Sequence, residues 1–213
     1  MDFNLFSKQV SKIKNLPLPG VEAHYKMVPA FRQELMKKNT ELKKIPKKAG
    51  VMALFYPDAQ NNTNFLLILR KTYEGIHSNQ IAFPGGKAEK SDTDIMNTAL
   101  RETEEEVGVP VASIDVLKEL TQVYIPPSNF MVSPFIGLAT GEISFILQEE
   151  EVENIVEVSM LDLLDDKKIF AKKITTSYAV DVDVPAFKLN GYTVWGATAM
   201  MLSEVKDLIK QVL

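Results

Sequence analysis

The chain has no cysteine among its 213 residues. Disulfides, thiolate nucleophiles and zinc–thiolate sites are therefore excluded together. With no disulfide to hold it, the chain fits a reducing compartment, and a cytoplasmic location is expected. No apolar run approaches the length of a membrane span. Met1-Asp2-Phe3-Asn4 lacks the basic-then-apolar opening of a secretory signal. Positive charge is not in excess: 24 Lys and Arg stand against 28 Asp and Glu, for a net charge of −4 and a pI near 5.4. A broad nucleic-acid surface needs the opposite balance, so neither nucleic acid nor membrane is expected as a partner. An anionic small molecule stays admissible, because a bound metal can supply local positive charge. No internal repeat, low-complexity segment or clear linker interrupts the chain.

The rest of the composition is ordinary for a globular protein, with 46% hydrophobic and 24% charged residues. The length suits one domain with additions. The expected division is a helical extension over residues 1–48, packed on a domain over 49–213. Phe3, Phe6, Val10 and Ile13 fall at helical spacing, and Leu16-Pro17-Leu18-Pro19-Gly20 breaks that helix. A second helix is expected from Phe31 towards Glu41. Lys37, Lys38, Lys43, Lys44, Lys47 and Lys48 around it read as a solvated face, or alternatively as a basic patch for phosphates. Ala49 to Tyr56 and Phe65 to Leu69 form a predicted hairpin across a polar turn. Ile81-Ala82-Phe83 is a short strand leading into glycines. Met131 to Leu138 is a strand whose Pro134 places it at an edge or bulge. Ile155 to Ser159 reads as a strand and Leu161 to Leu164 as a short helix. Ile174 to Leu189 reads as extended, Val180, Val182 and Val184 alternating with Asp181 and Asp183. Asn190-Gly191 is a hairpin turn into Tyr192–Trp195, and a closing helix runs from Gly196 to about Leu213. Trp195 is expected in the core.

The most informative stretch runs from Phe83 to Val109. A Phe-Pro-Gly-Gly loop precedes a helix whose buried stripe is Met96, Ala99, Leu100, Thr103 and Val107. Asp92 is the expected N-cap, with Asp94 in the first turn. Gly108 and Pro110 end the helix. Glu102, Glu105 and Glu106, three and four residues apart, project from one face. An acidic run alone is usually a solvated face. Carboxylates set together beside a glycine loop are also what a Mg²⁺ ion carrying a phosphate substrate needs. Arg101 is one turn before Glu105 and can pair with it. A second acidic cluster follows at Glu149, Glu150, Glu151 and Glu153. No Ser/His/Asp set stands out, so no covalent intermediate is expected.

Gly86, Asp92, Arg101, Glu102, Glu105, Glu106, Gly108 and Val109 resemble the Nudix box of the nucleoside-diphosphate-X hydrolases. Asp92 stands where Glu is usual, and its spacing to Arg101 is one residue longer than the commonest form. Leu66, Leu67, Arg70, Phe83, Pro84, Gly85 and Gly86 further resemble the coenzyme A diphosphatase branch, as do His77, Gln80 and the segment Trp195-Gly196 with Thr198-Ala199. Ile68, Lys71, Gly75 and Asn79 depart from that branch, Gly75 replacing an Arg.

The resemblance implies an α/β fold, the Nudix α/β/α sandwich with a mixed sheet between helices. It implies Mg²⁺ or Mn²⁺ held by Glu102, Glu105 and Glu106. It also implies hydrolysis of coenzyme A or acyl-CoA to adenosine 3′,5′-bisphosphate and 4′-phosphopantetheine. Glu105 or Glu151 is the expected base, with Arg101 fixing a rotamer. Arg70, Lys71, His77, Gln80, Gly85 and Gly86 are the expected substrate contacts. Relatives are commonly homodimers. The alternatives are a Nudix hydrolase for ADP-ribose, NADH or another dinucleotide, and a non-catalytic nucleotide sensor on the same fold.

Overall fold

The computed structural model describes residues 1–29, 45–71, 80–139, 141, 143–176 and 179–213, without the side chains of 175, 176 and 179–181. The expected helix from Phe31 to Glu41, four of the lysines around it (Lys37, Lys38, Lys43 and Lys44), Gly75, His77 and Asn79 lie outside the described residues.

Helix α1 (Phe3–Val10) starts where the Asp2 carboxylate accepts from the Leu5 N–H at 2.9 Å. Its apolar stripe of Phe3, Phe6 and Val10 is buried, and Ile13 continues that stripe through a 3₁₀ turn, Ser11–Asn15. Phe6 stacks on Phe55 with ring centroids 5.1 Å apart. A short α2 (Val21–Tyr25) follows Gly20.

The main sheet is built on β1 (Lys47–Pro57), which pairs antiparallel with β2 (Thr63–Arg70) through Phe55↔Phe65. β3 is Ile81–Ala82 and β4 is Gly85–Lys87. The Gly-Gly segment is thus not a free loop: Ala49, Gly50 and Val51 pair with Lys87, Gly86 and Gly85. β5 (Ile114–Glu119) and β6 (Val123–Ile125) both pair with β7 (Phe130–Ala139), and β8 (Val152–Ser159) borders β2. β1 and β7 run parallel and the other pairs antiparallel, so the sheet is mixed, as expected.

Near-continuous apolar runs in β1 and β2 follow from burial on both faces. Met52, Leu54, Leu66 and Ile68 pack under α3 (Ile95–Val107). Phe55, Phe65 and Leu67 face α1 and α5 (Gly196–Lys210) on the opposite side. This is the α/β/α layering the sequence implies. Short α4 (Met160–Leu164) leads to a second sheet of β9 (Ile169–Thr176), β10 (Ala179–Leu189) and β11 (Tyr192–Val194). Among the described residues, no helix is long and apolar enough to cross a membrane.

Three local expectations are corrected. Pro134 is inside the sheet, opposite Val51 of β1. Its missing N–H is tolerated because the strand on its other side breaks there, β5 ending at Glu119 and β6 beginning at Val123. The extended run from Ile174 is two strands, since β9 begins at Ile169 and pairs back on β10. Trp195 is partly exposed rather than core. The Asn190-Gly191 turn forms as expected, with φ of 41° and 80° and Leu189 paired to Tyr192.

Candidate active site

The site is built around α3. Asp94, not Asp92, caps it: the Asp94 carboxylate accepts from the Asn97 N–H at 2.8 Å. Asp92 is instead committed to Arg101, whose Nε and Nη2 donate to its two oxygens at 2.8 and 3.1 Å. It also accepts from the Glu89 N–H and the Thr98 hydroxyl. The Arg101 hydrogen bonds, against the opposing effect of burial, hold the Asp92 carboxyl well below its usual range. Arg101 further reaches Glu102 at 3.1 Å, Glu105 at 2.8 Å and the Lys87 carbonyl at 3.3 Å. One guanidinium therefore ties the loop before the helix to two of its carboxylates.

The three glutamates have different surroundings. Glu106 is 2% exposed, Glu102 14% and Glu105 56%. Glu106 faces the sheet, where its oxygens accept from the Gly85 N–H at 2.8 Å and from Arg70 at 3.2 Å. Burial pushes its carboxyl up to about 7; Arg70 and the Gly85 N–H oppose that shift, while Glu102 and Glu151 add to it. Glu102 is raised too, first by burial, with Glu105 and Glu151 contributing against Arg101. Glu105 turns to Arg101, and among the described residues no three acidic or imidazole side chains converge on one point.

Gly85 and Gly86 keep the floor of the site flat. Gly85 has φ +143°, and a Cβ there would lie 2.4 Å from the Gly50 carbonyl. A Cβ on Gly86 would fall 2.3 Å from Glu102 Oε2. The Glu102 carboxylate itself fills the place a side chain at position 86 would take, so it lies against the backbone there only because that residue is glycine.

The helix end places the second acidic cluster. Gly108 is left-handed at φ +74°, and its N–H returns to the Glu104 carbonyl. The Val107 and Glu106 carbonyls, left without helical partners, accept from the Ile146 and Gln148 N–H groups at 2.9 and 3.1 Å. Gln148 then folds the acidic turn, its side-chain oxygen accepting from the Glu150 and Glu151 N–H groups at 2.8 and 2.9 Å. Lys71 fastens that turn to β2: its N–H donates to the Glu151 carbonyl at 2.9 Å and its Nζ to the Glu149 carbonyl at 2.8 Å. Among the described residues, no cation pairs with Glu151.

Of the expected substrate contacts, Arg70 and Gly85 meet Glu106 directly, and Gly86 abuts Glu102. The Gln80 carbonyl accepts from the Arg70 N–H at 3.0 Å. Lys71 is engaged with the acidic turn. Lys47 lies over the Phe130 ring at 5.4 Å. Asp92 as anchor of Arg101 and Gln148 as organiser of the turn were not foreseen. The signal for Asp92 was only an acid nine residues ahead of an arginine, which requires a loop that bends back.

The NUDIX domain profile matches residues 46–178. A Nudix hydrolase NudL of Yersinia enterocolitica, described as uncharacterized, is 33% identical over 151 residues, covering 68% of this chain and 73% of that protein. The protein of the same name in Pectobacterium atrosepticum is 33% identical over 165 residues, covering 72% and 79%. Among solved structures, the Nudix hydrolase RenU of M. Smegmatis superposes with a TM-score of 0.54 at 14% identity, covering 79% of this chain and 88% of that one. The MutT protein of Methanosarcina mazei Go1 gives 0.51 at 17% identity, covering 78% and 96%. These two likenesses concern the fold. The glycine strand, the Arg101 clasp and the buried Glu106 thus occur in a chain that belongs to the Nudix hydrolase family of enzymes.

Proposed function

We propose that this protein is a Mg²⁺- or Mn²⁺-dependent diphosphatase that cleaves coenzyme A or acyl-CoA into adenosine 3′,5′-bisphosphate and 4′-phosphopantetheine. The observation that carries this reading is Glu106. A carboxylate 2% exposed is held between Arg70 and Gly85, residues of the coenzyme A-like motif, while it projects from the Nudix helix. Both motifs therefore meet on one side chain.

Carboxylate oxygens are the donors a hard divalent cation takes, and Glu105 would turn from Arg101 to join Glu102 and Glu106 around one. The Glu151 charge raises the proton affinity of both Glu102 and Glu106, which places the three carboxylates near one another, and glycine at position 86 lets the Glu102 carboxylate lie against the backbone. Glu102, Glu105 and Glu106 are the ligands proposed. When bound there, the ion neutralises charge on the diphosphate and acidifies a water. The residues of the chain do the rest. Arg101 fixes Glu102. Arg70, Gly85 and Gly86 shape the floor. Glu151, exposed and without a cation partner among the described residues, accepts the proton of the attacking water as the phosphorus–oxygen bond to the other phosphate breaks.

Purified protein with Mg²⁺ is offered coenzyme A, ADP-ribose and NADH, and the products are weighed by mass spectrometry. Adenosine 3′,5′-bisphosphate from coenzyme A is the expected result. Cleavage of ADP-ribose or NADH with coenzyme A untouched makes the protein a dinucleotide hydrolase instead, and binding without turnover makes it a sensor.

Gly86→Ala tests the geometry. The methyl carbon meets the end of a flexible side chain, so the Glu102 carboxylate moves and the fold stays. Turnover is expected to fall about ten- to a hundredfold, on the scale of a misplaced catalytic group. The thermal midpoint is expected to move by no more than about 4 °C, roughly 1 kcal/mol. Unchanged turnover would remove Glu102 from the site.

A further inference from the structure

A second concavity, of about 330 Å³, opens where the β2–β3 edge of the main sheet meets the smaller sheet. That volume is near the lower end of small-molecule sites, roughly 300–1,000 Å³. Its apolar floor is Leu69 and Ile81, with Gln80 at the rim. Its opposite wall is Lys172, Tyr192 and Trp195.

The walls are fixed. The Thr198 hydroxyl donates to the Ile81 carbonyl at 3.1 Å, which pins the start of α5, and with it Trp195, against β3. Asn154, paired with Leu69 in the sheet, donates to the Tyr192 hydroxyl at 3.4 Å. The Lys172 ammonium is 6.0 Å from the Trp195 ring centroid, and among the described residues no carboxylate lies within ion-pair distance of it.

Two part-exposed aromatic rings and an unneutralised cation on one rigid wall suit a ligand that is flat and aromatic at one point and anionic at another. A nucleotide has both features: the base offers a π-face to aromatic side chains, and a ribose phosphate offers the charge. A pantetheine arm offers no flat face.

The cavity and the acid site lie on opposite faces of the main sheet and meet at the end of β2, where Leu69 lines the cavity and the next residue, Arg70, holds Glu106 on the other face. Gln80 at its rim accepts from the N–H of Arg70, whose guanidinium holds Glu106. Asn154 follows Glu151 by three residues on the chain entering β8, about 10 Å at strand rise.

We propose that this cavity is the subsite for the nucleotide end of the substrate, the base lying against Trp195 and Tyr192 and its ribose phosphate meeting Lys172. The inference rests on the diphosphatase reading for the identity of the nucleotide.

Trp195 is the single tryptophan of the chain, so its emission reports on the cavity alone. The full-length protein is titrated with adenosine 3′,5′-bisphosphate and with 4′-phosphopantetheine, without metal. Saturable quenching by the bisphosphate and none by 4′-phosphopantetheine is expected. Lys172→Gln is expected to weaken the bisphosphate about threefold, the scale of one part-exposed charge pair, and to leave adenosine unaffected. Trp195→Ala is expected to raise KM for coenzyme A about tenfold, more than it lowers kcat. Unchanged emission at saturating bisphosphate, or wild-type affinity in Lys172→Gln together with wild-type KM in Trp195→Ala, overturns the inference. Coenzyme A cleavage with no such signal defeats the cavity and leaves the proposed function standing. Quenching by the bisphosphate without coenzyme A cleavage does the reverse.

Discussion

Glu106→Gln is expected to lower turnover of the diphosphate substrate by on the order of a hundredfold or more while leaving the thermal midpoint unchanged or higher. Glutamine has the shape of glutamate, and its amide oxygen can still accept from the Gly85 N–H, now 2.8 Å from the carboxylate. The charge is what disappears. At 2% exposure that charge is costly to bury, and Glu102 and Glu151 add repulsion. Arg70 loses its partner, but its side chain is 23% exposed and can turn to water. The substitution therefore removes a local burden on the fold together with a proposed cation ligand. Glu106→Ala differs: it leaves a void and strands the Gly85 N–H, and both stability and turnover fall. The measurements are kcat/KM for coenzyme A and a thermal melt of each variant. Full activity in Glu106→Gln defeats the assignment of Glu106 to the metal. Lost activity with a collapsed melt assigns it to structure alone.

Much of this site is legible in the sequence because a helix imposes its own geometry. The step from Arg101 to Glu105 and the stripe Ala99, Leu100, Thr103 and Val107 are consequences of a 3.6-residue turn, and the structure shows both. Gly108 before Pro110 marks the stop for equally local reasons. Helical spacing could not say which of three adjacent glutamates is buried. That depends on where β4 and Arg70 lie, a tertiary matter, and it separates Glu106 from Glu105. Asp92 looked like a cap since caps and loop anchors use the same residue types. Pro134 looked like an edge marker because the break between β5 and β6 beside it has no signature in β7 itself. Two-residue alternation in Val180, Val182 and Val184 identifies a strand but cannot place the turn that precedes it. Trp195 was assigned to the core on hydrophobicity, yet the seam between the two sheets leaves part of its ring in solvent.

Removing the Glu204 carboxylate is expected to have the largest effect on stability of any single polar change described here. Glu204 is in α5, 0% exposed, and gave no signal in the sequence beyond being one acid in a closing helix. Four groups converge on it: the Gly20 N–H at 3.0 Å, His24 Nε2 at 3.1 Å, the Thr121 N–H at 3.1 Å and the Thr121 hydroxyl at 2.6 Å. They come from the segment before α2, from α2 itself and from the break between β5 and β6. One carboxylate thus fastens the N-terminal segment and the sheet to the last helix. Glu204→Ala takes the acceptor from all four donors, of which His24 is buried and Gly20 and Thr121 half-buried, at a cost of about 3–5 kcal/mol, or roughly 6–20 °C in the midpoint for a chain of this size. Burial pushes the Glu204 carboxyl up, but the bonds from His24, Thr121 and Gly20 outweigh it and leave it below its ordinary value. A carboxylate depressed by folding stabilises above its unfolded pKa, and that contribution is lost as pH falls through the folded value. Chemical denaturation between pH 7 and pH 3 should therefore show a decline in wild type that is smaller in Glu204→Gln, which starts lower and has no proton to gain there. Parallel declines in the two proteins would show that the carboxylate carries none of the acid sensitivity. A Glu204→Ala midpoint within about 2 °C of wild type would mean that water replaces it at the junction.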